Sequence, residues 1–220
     1  MNYRLSRIAA ICGGKFSGCD SEVRSVVTDS RSLSCELGCR PMFVAMRGAN
    51  HDSHDFIAGM QSRGVRAFLV ERGVEASSCT GECGFVQVDN AIEALQRLAA
   101  YHRAQFRGTV VGITGSNGKT VIKEWIAEEL PEGMKYYRSP KSYNSQLGVP
   151  LSVLMLEGDE ELAIFEAGIS KPGEMERLER IIRPDAVIFT SIGDAHQENF
   201  INLEQKCDEK MILARSASKI

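Results

Sequence analysis

The segment TVVGITGSNGKTVIKEWIAEEL, residues 109–130, decides the fold of the chain. Residues 109–114 form a short apolar and β-branched run, which predicts a buried strand, and the pattern from Lys119 to Leu130 predicts a helix. The four residues between them, Gly-Ser-Asn-Gly at 115–118, form a glycine-rich turn. Glycines let successive amide groups point at phosphate oxygens, and a helix N-terminus adds partial positive charge. The segment therefore predicts a loop that binds nucleotide phosphates.

Two residues at the start of the helix support this interpretation. In a phosphate loop the lysine, here Lys119, reaches the β- and γ-phosphates, and the following hydroxyl, here Thr120, can bind Mg²⁺. The strict pattern G-x-x-x-x-G-K-[ST] is not met, because its first glycine would fall at Ile113. The alternative is a glycine turn before an ordinary helix, but Gly-Lys-Thr at a strand–helix junction favours the phosphate loop.

Beyond the loop, predicted strands and helices alternate. A mostly helical segment at 144–156 is followed by a strand at 162–167, a helix at 174–183, a strand at 186–192 and a last helix at 203–216. This alternation predicts right-handed β-α-β units and a parallel sheet covered on both faces. Three or four strands of this sheet are recognisable, which indicates either a small domain or part of a larger one.

The residues before the loop predict a second, smaller α/β domain. Helices are predicted at 5–12, 54–63 and 91–106, and strands at 23–28, 42–46, 67–71 and 85–89. A boundary is expected at Arg107-Gly108. The predicted domains are therefore 1–107 and 108–220, and the fold class is α/β with a parallel-sheet ATP-binding domain in second place.

Composition limits the function classes. The 220 residues are 43% hydrophobic and 25% charged, with a formal net charge of −3. This balance argues against a general nucleic-acid-binding surface, and no apolar run has the length of a membrane span or signal peptide. We therefore expect a cytoplasmic protein. The spacings Cys35/Cys39 and Cys79/Cys83 leave structural zinc as an alternative to reduced thiols, but the usual C-x-x-C spacing is missing.

The run I-T-G-S-N-G-K-T at 113–120 resembles the ATP loop of the Mur ligases, the ATP-dependent enzymes that form peptide bonds in peptidoglycan precursor synthesis. That family's loop also lacks the first glycine. Further segments of the family pattern span nearly the whole chain: V-T-D-S-R at 27–31, F-V-A-M-R-G at 43–48, H-D-F at 54–56, N-S-Q-L-G-V-P-L at 144–151, E-A-G at 166–168 with G-E-M at 173–175, and D-A-H at 194–196 with Glu209-Lys210.

The resemblance implies two substrate sites. The N-terminal domain would bind the uridine-nucleotide substrate, a UDP-N-acetylmuramoyl-peptide, through Ser30, Arg31, Arg47, Gly48 and His54. The ATP site would be formed by Thr114, Gly115, Ser116, Asn117, Gly118, Lys119, Thr120 and Asn144. From the residues alone, Arg31 and Arg47 could equally form surface salt bridges, and Asp29-Ser30 could be a locally capped turn.

A metal site is expected at the carboxyl ends of the strands. Glu166 ends a buried strand and His196 follows the next, which is where ligand sites collect in open parallel sheets. The resemblance implies that Lys119, Glu166, His196 and Lys210 are catalytic. It also implies that Thr120, Glu166, His196 and a carbamylated Lys210 hold Mg²⁺. From the residues alone, Lys210 could be a solvated lysine.

The pattern is most similar to the family member that adds D-Ala-D-Ala to a UDP-N-acetylmuramoyl-tripeptide. Residues 169–171 are Ile-Ser-Lys where that member often has Ala-Asn-His, so the sister ligase that adds the third amino acid stays an alternative. A phosphate-loop small-molecule kinase and a non-catalytic nucleotide-binding module are the others. The resemblance implies a third, C-terminal ligase domain, and some relatives are fused to alanine racemase. We therefore expect these 220 residues to be inactive alone.

Overall fold

The computed structural model describes residues 1–33, 40–48, 52–71, 82–193 and 197–218. The chain divides into two units, Met1–Leu98 and Ala99–Ile220, called unit 1 and unit 2. The predicted domain boundary at Arg107-Gly108 stays a prediction. The expected α/β fold class with parallel sheets is confirmed.

Unit 1 contains a five-stranded sheet. Its order is β2-β7-β6-β5-β4, in which only the β2–β7 pair is antiparallel, and a separate antiparallel pair joins β1 to β3. The elements are β1 (Tyr3–Arg4), α1 (Leu5–Cys12), β2 (Lys15–Gly18), β3 (Glu22–Val23), β4 (Ser25–Val27), β5 (Pro41–Val44), α2 (Ile57–Ser62), β6 (Ala67–Val70), β7 (Gly84–Gln87) and α3 (Ala91–Arg103), which continues into unit 2.

The core of unit 1 follows from side-chain periodicity. Helix α1 buries Leu5, Ile8, Ala9 and Cys12, which recur at helical spacing, and it ends where Gly13 adopts a left-handed conformation with φ 71°. In the sheet, the ring of Phe68 packs edge-on against Phe43 and stacks on Phe85. These contacts anchor the middle strands, so the loops at their ends are held in place.

Unit 2 contains a four-stranded sheet in which all three strand pairs are parallel, in the order β11-β8-β10-β9. Val111 and Ile113 of the central strand pack on one face against helix α4, and Gly112 faces Leu213 on the other. The expectation of a sheet covered on both faces is therefore confirmed at this strand. The elements are β8 (Thr109–Thr114), α4 (Lys119–Glu128), β9 (Tyr136–Arg138), α5 (Gly148–Val153), β10 (Leu162–Glu166), α6 (Glu174–Ile182), β11 (Ala186–Phe189) and α7 (Leu203–Met211).

Several element predictions were wrong in detail. The strand predicted at 23–28 is two short strands, because β3 pairs with β1 whereas β4 pairs with β5. The helix predicted at 144–156 is confined to α5, since the chain folds back before it and brings the Gly148 backbone against Tyr143. The helices predicted from His54 and to Ser216 contain 3-10 turns, at Ser53–Phe56 and Ile212–Ser216. The mainly exposed edge strands β2 and β9 were not predicted.

Candidate functional site

The phosphate loop of unit 2 connects β8 to α4 as predicted. Gly115 has φ 141° and Gly118 has φ 81°, conformations that favour glycine. A Cβ atom on Gly115 would lie 1.9 Å from Thr190 Oγ1. The loop therefore needs glycine at 115 both for its backbone conformation and for its close contact with the residue that follows β11.

Hydrogen bonds fix the loop against the neighbouring strand ends. Ser116 donates its backbone N–H to Ser191 O at 2.6 Å, and its hydroxyl pairs with both the carbonyl and the amide of Gly193 at 3.1 and 3.0 Å. Thr114 Oγ1 donates to Ala167 O at 2.9 Å. The loop is consequently connected to the segments after β10 and β11, so its shape is built before any ligand binds.

A fully buried carboxylate, that of Glu166, lies at the carboxyl end of β10, beside the loop. Its Oε2 accepts hydrogen bonds from Thr120 Oγ1 at 3.1 Å and from Asn144 Nδ2 at 3.4 Å. Its Oε1 lies 2.9 Å from Lys123 Nζ, and both side chains are fully buried. The structure thus brings three of the predicted site residues together, and adds Lys123.

Lysines surround the loop. Lys119 Nζ donates to Gly115 O at 2.8 Å, and Lys210 Nζ donates to the same carbonyl at 3.2 Å. Burial lowers the pKa of Lys119, partly offset by Glu166. Burial, and secondarily the charges of Lys119 and Lys206, lower the pKa of Lys210 to about 8. Lys210 is 2% exposed, so the alternative of a solvated lysine is wrong, and its role in the site stays a prediction.

Sequence reasoning missed two buried lysines, Lys123 and Lys206. Lys123 lies three residues after Thr120, so the helical spacing places both on one side of α4. Lys206 donates to Gly193 O and, at 3.5 Å, to Gln197 Oε1, and its ammonium lies over the Phe200 ring. The signal for Lys206 was its spacing of four residues from Lys210 on one helix. His196, with Asp194 and Ala195, lies outside the described residues.

The predicted substrate residues of unit 1 follow the ends of parallel strands. Arg31 comes after β4 and Arg47 after β5, which are neighbours in the sheet. Arg31 is highly exposed and binds Asp29, whose pKa it lowers to about 2 through side-chain and backbone hydrogen bonds. Ser30 uses its carbonyl to accept from Arg63. The capped turn and the local salt bridge, both left open by the sequence, are therefore present.

A carboxylate that the sequence did not single out, Glu71, organises the second part of this edge. It accepts hydrogen bonds from Arg47 N at 2.9 Å and from Ala91 N at 2.8 Å, at the start of α3. Its own amide donates to His54 Nε2 at 2.9 Å, while His54 Nδ1 is hydrogen-bonded to Asp52. His54 is buried, and both of its ring nitrogens are hydrogen-bonded. It therefore stabilises the loop that contains Arg47 and the exposed Gly48.

The donor set of unit 2 fits a hard cation. Glu166 Oε2 and Thr120 Oγ1 are oxygen ligands of the kind that Mg²⁺ prefers, usually together with phosphate oxygens and water. Within the described ranges, no group of three or more His, Cys, Asp and Glu side chains could hold a metal.

The described cysteines are free thiols: Cys12, Cys19, Cys83 and Cys207. The predictions for the other three cysteines, Cys35, Cys39 and Cys79, fall outside the described residues. No helix within the described ranges has the length and apolarity to cross a membrane.

Comparison with known proteins points to one family. Residues 113–220 match the family described as "Mur ligase middle domain". The chain is 31% identical over 189 residues to UDP-N-acetylmuramoyl-tripeptide–D-alanyl-D-alanine ligase of Bacillus subtilis, covering 86% of this chain and 40% of that protein. It is 32% identical over 203 residues to the protein of the same name from Escherichia coli, covering 92% and 43%.

Solved structures agree with this likeness. A crystal structure of MurF from Acinetobacter baumannii superposes with a TM-score of 0.86 at 26% identity, covering 99% of this chain and 47% of that one. The MurF ligase of Thermotoga maritima, solved in complex with ADP, gives a TM-score of 0.76 at 31% identity, covering 89% and 44%. The chain thus spans less than half the length of these relatives.

Proposed function

Because this chain belongs to the Mur ligase family, we propose that it provides the uridine-nucleotide-binding and ATP-binding parts of a D-Ala-D-Ala-adding ligase. The substrates would be UDP-N-acetylmuramoyl-tripeptide, D-Ala-D-Ala and ATP, and the products would include ADP and phosphate. Residues 1–107 would form the first domain and 108–220 the second. We place the reaction in the cytoplasm, where the nucleotide substrates occur.

One observation carries the proposal: the buried carboxylate of Glu166 meets Thr120 within hydrogen-bonding distance beside a glycine loop. A glycine turn alone would need neither the carboxylate nor the lysines around it. The relatives in which this arrangement is expected carry the D-alanyl-D-alanine ligase name, and one was solved with ADP. The observation therefore favours a site for nucleotide phosphates and Mg²⁺, and the relatives favour the ligase over an unrelated nucleotide-binding module.

In the proposed first step, a carboxylate oxygen of the nucleotide-peptide attacks the γ-phosphorus of ATP. An acyl phosphate forms, and the bond to the β–γ bridging oxygen breaks to release ADP. Both reactants are anions, so the protein acts mainly by positioning and charge neutralisation. The loop amides and Lys119 would hold the phosphates, and Thr120 and Glu166 would hold Mg²⁺, which supplies further neutralisation of the β- and γ-phosphate charge.

In the second step, the amine of D-Ala-D-Ala attacks the acyl carbon, and inorganic phosphate leaves as the amide forms. Arg31 and Arg47 are proposed to bind the diphosphate of the uridine nucleotide through their forked donors, together with Ser30 and Gly48. For Arg31 this requires exchange of its present salt bridge with Asp29. His54 is proposed to position the Arg47 loop. His196 and a carbamylated Lys210 stay proposals that rest on the resemblance.

The deciding experiment measures ADP release by the protein translated from the complete reading frame. With the nucleotide-tripeptide and ATP present, D-Ala-D-Ala should stimulate release, and diaminopimelate or lysine should not. Stimulation by diaminopimelate or lysine with the corresponding dipeptide substrate would favour the sister ligase. ADP release that needs no amine would favour a kinase. The Glu166→Gln variant should abolish the stimulated release, with Lys135→Met, a change at an exposed lysine, as the control.

A further inference from the structure

The charges around the phosphate loop do not balance. Of the charged side chains in the described ranges that are almost fully buried, one is a carboxylate, Glu166, and three are the lysines Lys123, Lys206 and Lys210. Half-buried Lys119 adds a fourth ammonium beside them. Without a ligand, the almost fully buried side chains at this end of the sheet therefore carry excess positive charge.

Lys123 is the lysine that neutralises the single carboxylate. Its ammonium lies 2.9 Å from Glu166 Oε1 and 3.4 Å from Oε1 of the partly exposed Glu124, and it also donates to the backbone carbonyls of Ser139, at 2.7 Å, and Lys141. These carbonyls belong to the chain after β9, so the ammonium is held from two sides. Thr120 and Asn144 bind the other carboxylate oxygen. Glu166 is thus oriented and already paired before a cation arrives.

We propose that Lys123 is a positioning residue that keeps Glu166 in a neutral ion pair, so that the site admits a divalent cation only together with nucleotide phosphates. The inference deepens the proposed function, since it takes the Glu166 cation site as its starting point. A bare cation would meet one neutralised carboxylate and an excess of ammonium groups. The phosphates of a bound nucleotide would reverse that balance, because they bring several negative charges to the loop.

Lys123→Met tests the proposal, because it keeps the unbranched shape and most of the length of the side chain and removes the charge. The assay follows binding of Mn²⁺, as the probe metal, to the 220-residue chain by the loss of the free-ion electron paramagnetic resonance signal. Without nucleotide, the wild-type chain should bind Mn²⁺ weakly at Glu166. Lys123→Met should bind it at least about tenfold more tightly, since one unit charge near the cation is gone. Glu166→Gln added to Lys123→Met should abolish this gain.

Two further arms keep the test independent of the stability of one variant. ADP should raise the affinity of the wild-type chain for Mn²⁺ beyond chelation by ADP alone, and by linkage Mn²⁺ should raise the affinity for ADP by the same factor. Lys123→Arg, which retains the charge, should keep this coupling, as should the control Lys135→Met. The proposal fails if the wild-type chain without nucleotide binds Mn²⁺ tightly and Glu166→Gln removes that binding. It also fails if Lys123→Met folds without any gain in affinity.

These outcomes are separate from the fate of the ligase. Mn²⁺–ADP coupling that is strong in the wild-type chain and weaker in Lys123→Met supports the role of Lys123, even if D-Ala-D-Ala does not stimulate ADP release. Tight Mn²⁺ binding at Glu166 without nucleotide would refute the proposed role of Lys123, but it would not count against the proposed ligase reaction.

Discussion

Removal of the buried charge at Lys123 should strongly destabilise unit 2. Unit charges 2.9 Å apart attract by about 6 kcal/mol at an effective dielectric constant of about 20. Lys123→Met removes that attraction and leaves a fully buried carboxylate without its cation. Breaking a buried pair from one side costs about 3–5 kcal/mol, which for a protein of this size lowers the unfolding temperature by about 10 °C.

The assay is a double-mutant cycle by thermal and urea unfolding of Lys123→Met, Glu166→Gln and the double variant. Because the double variant leaves no unpaired charge, it should be at least about 2 kcal/mol more stable than the sum of the single losses predicts. Lys123→Met and the double variant both remove the ammonium that donates to the Ser139 carbonyl. The double variant should therefore stay less stable than the wild-type chain. An additive cycle with small single losses would refute the argument.

The matched control is Lys135→Met. Lys135 also pairs with a carboxylate, Asp159 at 2.6 Å, but both side chains are mostly exposed. Solvent screens such a pair, and its removal should leave the unfolding midpoint unchanged. If Lys123→Met and Lys135→Met lost equal stability, burial of the ion pair would not be the cause of the destabilisation.

Three more outcomes follow from the contacts. Gly115→Ala should weaken ADP binding measured by calorimetry by more than about tenfold, because of φ 141° and the collision with Thr190. Gly133→Ala shares the strain of a positive φ, 84°, but has open space and should bind ADP normally; normal binding by both would contradict the loop geometry. Lys210 has its pKa lowered from 10.5 to about 8, so the unfolded chain binds more protons between these pH values. The stability of the wild-type chain relative to that of Lys210→Met should therefore rise with pH there by at most about 1.4 kcal/mol per unit, since the opposing effect of Cys12, whose pKa burial raises to about 12, is common to both chains; equal pH profiles would count against it. Glu71→Ala should destabilise unit 1 by about 1–2 kcal/mol in urea unfolding, because the part-buried Ala91 amide loses its acceptor while water can reach the exposed Arg47 amide, and an unchanged midpoint would be the opposing result.

The sequence alone was sufficient where structure depends on neighbouring residues. The strand Thr109–Thr114 and the first residue of α4 have the predicted bounds, because an apolar run, glycines and a helical pattern act locally. The resemblance likewise pointed to the family that the comparisons support. Edge strands such as Lys15–Gly18 escaped prediction because their exposed residues carry no alternating pattern.

Tertiary structure decided which charges meet. Lys123 and Glu166 are far apart in the chain, and they pair because β10 lies directly beside β8 in the sheet and α4 packs over both strands. The pairing of Glu71 with the Arg47 amide depends in the same way on the parallel register of β5 and β6. No local pattern encodes such contacts, since they arise only when the strand order brings distant strand ends to one edge. The phosphate loop could therefore be recognised from its amino-acid sequence. Which lysines and carboxylates lie around it could be seen only in the folded chain.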